Sequence, residues 1–282
     1  MRIISTVRGL SDLLLKSIEN RTLGFVPTMG ALHSGHLSLV KKSCSENDFT
    51  ICSIFVNPTQ FNNSQDLKKY PSQLNSDLAL LEESGCDFVF TPSIEEIYPE
   101  NYQPKTYSFG LLENVMEAVN RPGHFNGVAM VVSRLFSIVK PQKAYFGEKD
   151  FQQLAIVKSM VIKDKTPVQI ISCPIVREPS GLAMSSRNSR LTEHQRRASS
   201  RIYSRLCQVL KMQPNHTIAE LKNWVLQEFN KDSDLALEYF EISDPNTLTP
   251  SSNWSSSATH IACIAIFVGE VRLIDNILLR ID

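Results

Sequence analysis

Residues 22–47 read TLGFVPTMGALHSGHLSLVKKSCSEN, an apolar run followed by a glycine-containing turn and a helix-like segment. The run at 22–28 has the length and β-prone residues of a buried strand, and the apolar residues of 36–47 have helical spacing. Strands and helices alternate in this way to about residue 175, which predicts βαβ units and a parallel sheet. The other segments are TICSIFVNP (50–58), QLNSDLALLEESG (73–85), DFVFTP (87–92), KAYFG (143–147), DFQQLAIVKSMVIKD (150–164) and VQIISCPIV (168–176). Gly85 is placed to end the helix before it in a left-handed cap. A further helical stripe is formed by Val128, Val132, Leu135, Phe136 and Val139.

The pattern changes after the polar stretch REPSGLAMSSRNSRL at 177–191. The tetrads at 192–195 and 217–220 have capping-box residues, which predict the starts of two helices. Strand-like runs follow, and a Gly-Glu pair at 269–270 suits a two-residue hairpin turn. This part of the chain is therefore of the α+β type.

The fold class that follows is α/β, with a Rossmann-like parallel-sheet N-terminal domain and a smaller α+β C-terminal domain. A chain of 282 residues exceeds the usual single-domain size of roughly 100–200 residues, so two domains are expected. We place them at residues 1–175 and 176–282.

Composition narrows the possible partners and the compartment. The sequence has 29 basic residues (Lys and Arg) and 29 acidic residues (Asp and Glu). Its formal net charge is therefore zero and does not favour binding to nucleic acid or to an anionic membrane. The six cysteines form no CxxC pair, and four of them lie in or beside apolar runs, as buried free thiols do. No run approaches the ~18 apolar residues of a membrane span, and the N-terminus has no signal-like apolar stretch. We expect a cytoplasmic protein.

The turn MGALHSGH has the features of a phosphate site. Ligands of open α/β sheets bind beyond the carboxyl ends of the strands, where this turn lies. Gly30 and Gly35 leave room for a base or phosphate near the backbone, and a helix starting near His36 directs free N–H groups at an anion. His33 and His36 can then donate hydrogen bonds to phosphate oxygens. The ordinary alternative is two unrelated histidines, and a zinc site lacks a third ligand nearby.

Two further polar clusters follow predicted strands. In GEKDFQQ (147–153), Lys149 can meet a phosphate, Asp150 can accept from ribose hydroxyls and Gln153 can face the same cleft. In NPTQF (57–61), Asn57 and Gln60 can both donate and accept. A helix cap and an Asn-Pro turn are the ordinary alternatives.

A fourth cluster, LAMSSRN at 182–188, combines two hydroxyls with a guanidinium, which suits a polyphosphate. Solvated surface is the ordinary alternative for a loop of this composition. Four polar clusters at strand or domain ends are harder to attribute to coincidence than any single one. Together they predict a nucleotide site.

Six motifs, in this order along nearly the whole chain, resemble the pantoate–β-alanine ligase (pantothenate synthetase) family. They are PTMGALHSGHLSLV, IFVNPTQF, RPGHFNGV, FGEKDFQQL, VREPSGLAMSSRN and RLIDN. The family belongs to the HIGH-motif nucleotidyltransferases, with HSGH as the HIGH element and MSSR in place of the KMSKS element. The resemblance implies pantothenate biosynthesis in the coenzyme A pathway, a homodimer, and a C-terminal lid domain after a nucleotide- and pantoate-binding domain.

The implied reaction has two steps. ATP and pantoate give pantoyl adenylate and pyrophosphate with Mg²⁺, and β-alanine then displaces AMP to give pantothenate. The implied catalytic residues are His36, a proton donor, its partner His33, Lys149 and Arg187. The implied ATP contacts are Met29, Gly30, Ala31, Leu32, His33, Ser34, Gly35, His36, Gly147, Glu148, Lys149, Asp150, Val176, Met184, Ser185, Ser186 and Arg187.

The resemblance also implies the contacts of the acid substrate. Gln60 and Gln153 would hold the hydroxyls and carboxylate of pantoate, with Asn57 beside them. Arg121 and His124 in RPGHF look like electrostatic contacts on the substrate side. The β-alanine contacts stay open.

Some positions depart from the family pattern. Asp77 resembles the acidic position near magnesium, but Ser76 replaces the usual acidic residue before it. Ser34 stands where the family often has an acidic residue, and Ala118 where glycine is typical. Two alternatives stay open from the residues alone: an adenylyltransferase acting on a phosphate acceptor, and a nucleotide-binding regulatory module without chemistry.

Overall fold

The computed structural model describes residues 1–61, 67–254 and 259–280. The chain divides into two compact units. The larger comprises Met1–Phe109, Arg121–Glu148 and Gln153–Pro174, and the smaller comprises Gly110–Asn120, Lys149–Gln152 and Ile175–Asp282. Two short stretches that precede residue 175 thus cluster with the smaller unit. The division into functional domains at residue 175 stays a prediction.

The strands of the larger unit are β1 (Arg2–Ile4), β2 (Leu23–Thr28), β3 (Phe49–Ile54), β4 (Phe88–Phe90), β5 (Lys143–Gly147) and β6 (Gln169–Cys173). They form a six-stranded sheet in the order β1-β4-β3-β2-β5-β6, in which every neighbouring pair is parallel. The predicted fold class is confirmed. Neither β1 nor the helix that follows it at Val7–Ser17 was predicted from the sequence.

The order of the strands positions the site. From β2 the chain adds β3 and β4 on one side, whereas β5 and β6 lie on the other. The strand order therefore reverses between β2 and β5, and the crevice beyond the carboxyl ends of such a pair is where doubly wound folds bind ligands. The core residues Phe25, Val26 and Tyr145 on these two strands are fully buried.

The helices of the larger unit are α1 (Val7–Ser17), α2 (Ser34–Glu46), α3 (Leu74–Glu83), α4 (Ile94–Ile97), α6 (His124–Val139) and α7 (Phe151–Asp164), and α5 (Glu117–Asn120) lies in the smaller unit. Helices α2, α3, α6 and α7 lie in predicted segments, whereas α1 and α4 were not predicted. Gly85, just beyond the end of α3, has φ +80°, as predicted for a left-handed C-terminal cap. The predicted stripe of α6 is buried from Val128 to Val139.

The smaller unit contains two long helices and an antiparallel sheet of three strands, in which the strand at His260–Val268 lies between those at Ala236–Ser243 and Val271–Leu279. Both predicted capping boxes are present, with Thr192 and Thr217 as the capping residues. Gly269 has φ +58° in the predicted hairpin turn. The elements are β7 (Ala236–Ser243), β8 (His260–Val268), β9 (Val271–Leu279), α8 (Glu193–Met212) and α9 (Ile218–Asn230).

The cysteines have the expected state. All six are free, and four are buried. Burial raises the pKa of Cys173 to about 11 and that of Cys86 to about 12, so both thiols stay protonated and unreactive. Among residues 1–61, 67–254 and 259–280, no helix combines the length and apolar character needed to cross a membrane.

Candidate active site

The turn after β2 is held by a buried carboxylate. Gly30 and Ala31 adopt positive φ angles of +82° and +51°. The carboxylate of Asp77 on α3 accepts from the backbone N–H of Ala31 at 2.8 Å and of Leu32 at 2.7 Å. A Cβ on Gly30 would lie 3.0 Å from that carboxylate. Asp77, only 1% exposed, therefore fixes a left-handed turn immediately before the histidines.

The two histidines are stacked at the start of α2. The helix begins at Ser34, two residues before the predicted start near His36, and His33 is its N-cap. His33 Nδ1 accepts from the N–H of Gly35 at 3.1 Å. The proton of neutral His33 is then on Nε2, which makes that nitrogen a hydrogen-bond donor. The ring centroids of His33 and His36 are 4.1 Å apart.

Gln60 lies at the centre of a second group in the larger unit. Its side-chain nitrogen is 2.9 Å from the sulfur of Met29. Nδ1 of the buried His124 donates to the carbonyl oxygen of Gln60 at 2.7 Å. The predicted residues Met29, Gln60 and His124 are thus brought together.

Asn57 orients the Gln60 turn. Its amide nitrogen donates to Gln60 Oε1 at 3.3 Å and to the carbonyl of Gly127 at 3.1 Å, while its oxygen accepts from the hydroxyl of Tyr98 at 3.0 Å. Burial raises the pKa of Tyr98 to about 12, so this hydroxyl keeps its proton. Asn57 is 1% exposed. The structure gives Asn57 a holding role, and its contact with substrate stays a prediction.

Neither Tyr98 nor Gly127 was identified as important from the sequence. A Cβ on Gly127 would lie 2.5 Å from the carbonyl oxygen of Thr59 and 2.8 Å from the Cα of Gln60. Helix α6 therefore approaches the NPTQF turn at a distance that only glycine permits. RPGHFNGV in the sequence contains this glycine, but a helical glycine does not by itself reveal what it contacts.

The remaining predicted residues of the larger unit lie at element ends. Gly147 ends β5, next to β2 in the sheet, and Glu148 follows it directly. Arg121 is half-buried just before α6, and Gln153 is half-buried in the first turn of α7. These positions place their backbones at the carboxyl edge of the sheet or at the ends of helices flanking it.

In the smaller unit, Lys149 and Asp150 lie in a single turn of 3₁₀ helix. The ammonium of Lys149 is 3.3 Å from Asp150 Oδ2, and the lysine side chain is 17% exposed. The Lys149 ammonium is partly buried and is paired with the carboxylate of the next residue, so its side chain can point in few directions. The contacts of Lys149 with phosphate and of Asp150 with ribose stay predictions.

The segment 176–187 forms a tight hairpin followed by a helical turn. The N–H of Met184 donates to the carbonyl of Val176 at 3.0 Å. The hydroxyl of Ser185 caps the turn by accepting from the N–H of Arg187 at 3.3 Å. Ser186 begins that turn, and the predicted residues of this segment are half-buried. They form one local structure.

The described residues provide no ready-made magnesium site. Within residues 1–61, 67–254 and 259–280, no three His, Cys, Asp or Glu side chains come together as metal ligands. Both oxygens of Asp77 accept backbone N–H groups, and Ser76 supplies no carboxylate. These groups do not fit an ion held by protein carboxylates, so we derive no step from magnesium. The position of Asp77 near magnesium stays a prediction.

A cavity of about 300 Å³ in the larger unit borders the turn after β2. Its lining includes Met29, Gly30 and Asp77, and none of the described residues that line it is a Lys, Arg or His. Most of the other lining residues are apolar, among them Ile54, Phe55 and Val56. A cavity without cationic groups does not suit a triphosphate.

The sequence matches the family model of pantoate-beta-alanine ligase over residues 2–278. The chain belongs to the pantoate–β-alanine ligase family. The resemblance stated from the motifs is confirmed, and so are the enzyme class and the reaction, the ATP-dependent condensation of pantoate with β-alanine to pantothenate.

Relatives of this family resemble the chain over almost its full length. The pantothenate synthetase of Azobacteroides pseudotrichonymphae is 53% identical, over 98% of this chain and 99% of the relative. That of Bacteroides thetaiotaomicron is 50% identical, over 98% of each.

Two solved pantoate–β-alanine ligases share the fold. The Thermus thermophilus enzyme has a TM-score of 0.91 at 42% identity, covering 98% of this chain and 99% of that chain. The Francisella tularensis enzyme, complexed with beta-gamma ATP and beta-alanine, has a TM-score of 0.82 at 38% identity, covering 99% and 97%.

Replacing Asp77 with Asn tests its role in the turn. One side-chain oxygen becomes an amide donor facing a backbone N–H, so we expect the free energy of unfolding to fall by about 1–3 kcal/mol. Urea unfolding in EDTA measures this without any metal contribution, and Asp12→Asn on the exposed face of α1 is the control. An Asp77→Asn variant as stable as the wild type in EDTA would refute the holding role.

The Gly127→Ala substitution tests the close approach of α6. Adding a methyl group to a helical glycine normally stabilises by roughly 0.5–1 kcal/mol. Here the methyl group meets backbone atoms of Thr59 and Gln60, so we expect destabilisation by about 1–3 kcal/mol, the usual cost of overpacking. The KM for pantoate should rise as well. The measurement is the melting temperature of the variant relative to the wild type. A higher melting temperature would show that the clash does not exist.

Proposed function

We propose that His33, His36, Lys149 and Arg187 stabilise charge on the phosphates of ATP while the carboxylate of pantoate is activated. A pantoate oxygen attacks the α-phosphorus, and the bond from that phosphorus to the bridging oxygen breaks to release pyrophosphate. The amine of β-alanine then attacks the acyl carbon of pantoyl adenylate. The bond between that carbon and the phosphate oxygen breaks, AMP leaves, and the amine loses a proton.

The observation that carries this proposal is the orientation of the two imidazoles. His33 uses Nδ1 to cap α2, which puts its proton on Nε2, and His36 lies 4.1 Å away in the first turn. The N-terminus of a helix favours an anion through its backbone N–H groups and dipole. Donors fixed before the reaction stabilise a developing charge without reorganising. Charge on the α-phosphate changes in both steps, so one set of donors serves both.

The Francisella tularensis relative supports the choice of nucleotide and amine. It is described as a complex with beta-gamma ATP and beta-alanine, and we propose the same two substrates for this chain. The backbone and side chains of 29–36, 147–150, Val176 and 184–187 would contact ATP. Magnesium enters the proposal only through the family resemblance, as a companion of the phosphates.

Gln60 and Gln153 are the proposed ligands of pantoate. A side-chain amide both donates and accepts, so it matches a hydroxyl and a carboxylate without adding charge. Asn57 and His124 fix the turn of Gln60, so an amide is presented in one direction. A phosphate acceptor would require cationic groups there. This neutral pair favours a small hydroxy acid over the phosphate acceptor of an adenylyltransferase.

Other parts of the proposal rest on the sequence pattern and composition and, for the homodimer, on the family resemblance. We propose that residues 1–175 bind nucleotide and pantoate and that residues 176–282 act as a separate functional domain. We also propose a homodimer in the cytoplasm, without nucleic-acid or membrane partners. Gel filtration with light scattering tests the homodimer.

Exchange between pyrophosphate and ATP tests the adenylate intermediate. With pantoate and without β-alanine, we expect label from pyrophosphate to enter ATP, because the first step reverses freely. β-Alanine without pantoate should give no exchange. Exchange that proceeds equally well without pantoate would refute the substrate assignment.

The His36→Ala variant should lower the rate of this exchange by on the order of a hundredfold, the loss seen on removing one preorganised donor. His36→Gln should lose less, since its amide nitrogen can donate. The control is His194→Ala, which removes an imidazole whose side chain is 69% exposed on α8. The measurement is kcat for exchange at saturating ATP and pantoate, with circular dichroism to check folding. Near-normal turnover of folded His36→Ala would exclude the assigned role.

A further inference from the structure

The motif RLIDN lies on β9 and joins the strand to other segments of the smaller unit. Asp275 and Asn276 are adjacent and buried, at 4% and 5% exposure. Consecutive side chains of a strand point to opposite faces, so neighbouring residues can hold two different segments. Arg272 in the same motif makes a bidentate pair with Glu117, at 2.7 and 2.8 Å. The motif thus supplies three separate attachments.

Asp275 holds the hairpin that precedes the helical turn of Arg187. Its carboxylate accepts from both terminal nitrogens of Arg177, at 2.6 and 3.0 Å. Arg177 also donates to the carbonyls of Gly181 at 3.1 Å and Asn276 at 3.3 Å. Its guanidinium lies 3.6 Å from the ring centre of Tyr203. Because the planar guanidinium of Arg177 binds all these partners at once, it can occupy only one position. Its contacts therefore hold the hairpin at residues 176–184 in place.

Asn276 holds the backbone of Lys149. Its amide nitrogen donates to the carbonyl oxygen of Lys149 at 3.0 Å. The N–H of Asn276 is in turn bound by the carboxylate of Asp275 at 2.8 Å. The stem of lysine is flexible, so fixing its backbone limits where the ammonium can reach.

We propose that Asn276 and Asp275 are positioning residues of the ligase, with Asn276 acting through Lys149 and Asp275 acting through Arg177 on the segment that contains Met184 to Arg187. This proposal rests on the proposed function, because it assumes that Lys149 and Arg187 act on ATP. Both positioning residues are buried, and both bind other parts of the protein. Each sets the place from which a cationic side chain acts.

A double-mutant cycle on the full-length enzyme tests the part played by Asn276. Asn276→Leu keeps the number and branching of the side-chain heavy atoms and removes the amide. We expect kcat for pantoate-dependent exchange to fall on the order of tenfold, within the hundredfold that a misplacement of ~1 Å costs. The KM for pantoate should change less than about twofold, because the substitution leaves the pantoate ligands in place. In a Lys149→Ala background the same substitution should cost nothing further, because residues that act as a unit are not additive.

Gln213→Met is the matched control. Gln213 is also a buried amide, 4% exposed, and it donates to the carbonyl of Arg280 at 3.0 Å. Losing that bond should cost thermal stability much as Asn276→Leu does and leave kcat unchanged. A comparable fall in kcat for Gln213→Met would show that Asn276 acts only through general stability.

The outcomes separate this inference from the proposed function. If Lys149→Ala leaves exchange unchanged, the proposed role of Lys149 is wrong and the inference falls with it. If Lys149→Ala is impaired but Asn276→Leu is normal, or if the two losses multiply, the inference alone is wrong.

Arg177→Lys provides a second test that retains the charge and removes the bidentate fork. We expect kcat for exchange to fall about tenfold with unchanged KM for pantoate, and the fall should vanish in an Arg187→Ala background. Independent, multiplying losses would overturn the role of Asp275 and Arg177. This variant also keeps the proposal testable if Asn276→Leu does not fold.

Discussion

The placement of the histidines depends on one buried carboxylate. Asp77 binds two consecutive backbone N–H groups in a turn where Gly30 and Ala31 both have positive φ. A non-glycine residue in that conformation costs about 1–3 kcal/mol. Hydrogen bonds to a charged group contribute roughly 1.5–3 kcal/mol each, so the pair outweighs the strain. The turn places His33 at the N-cap of α2. There the N–H of Gly35 donates to His33 Nδ1, which defines the tautomer of the imidazole.

The proposed site separates two kinds of recognition. The donors of His33, His36, Lys149 and Arg187 are assigned to phosphates, and the neutral amides of Gln60 and Gln153 are assigned to pantoate. Arg121 and His124 stay predicted electrostatic contacts on the substrate side. A chain with no net charge gives no long-range attraction for an anion, so binding depends on these local groups. An amide beside pantoate also disfavours a second phosphorylated ligand, because it offers no compensating charge. Selectivity for the acid then comes from hydrogen-bond geometry at Gln60 and from the groups that hold it.

Sequence patterns predicted features that depend on neighbours along the chain. The capping boxes at Thr192 and Thr217, the cap at Gly85 and the alternation that gives a parallel sheet are all confirmed. The short strand β1 was missed because three residues carry too little periodicity to be recognised. Helix α1 follows it and was likewise not identified.

Contacts between distant parts of the chain could not be predicted in the same way. Asp77 is 46 residues from Ala31, and Asn276 is 127 residues from Lys149. Spacing along the chain does not show which backbone group a buried side chain will bind. The motifs predict Asp77 near magnesium and Asn57 at the substrate, and both roles stay predictions. The structure shows that both side chains bind the protein itself, where each orients a neighbour that the motif does identify.

The ion pair between Arg177 and Asp275 illustrates why such residues matter to function more than to stability. Removing two charges from water costs several kcal/mol for each ion, and the attraction between them often does no better than balance that cost. Burial indeed raises the pKa of Asp275 even though Arg177 opposes the shift. A pair of apolar residues of similar volume would hold β9 and the hairpin together as firmly. Such an apolar pair would not fix the hairpin in one register, because apolar contacts have no preferred direction. The bidentate pair of guanidinium and carboxylate does have a preferred direction. The contribution of this pair therefore lies in geometry, which is what a group that acts on a developing charge requires.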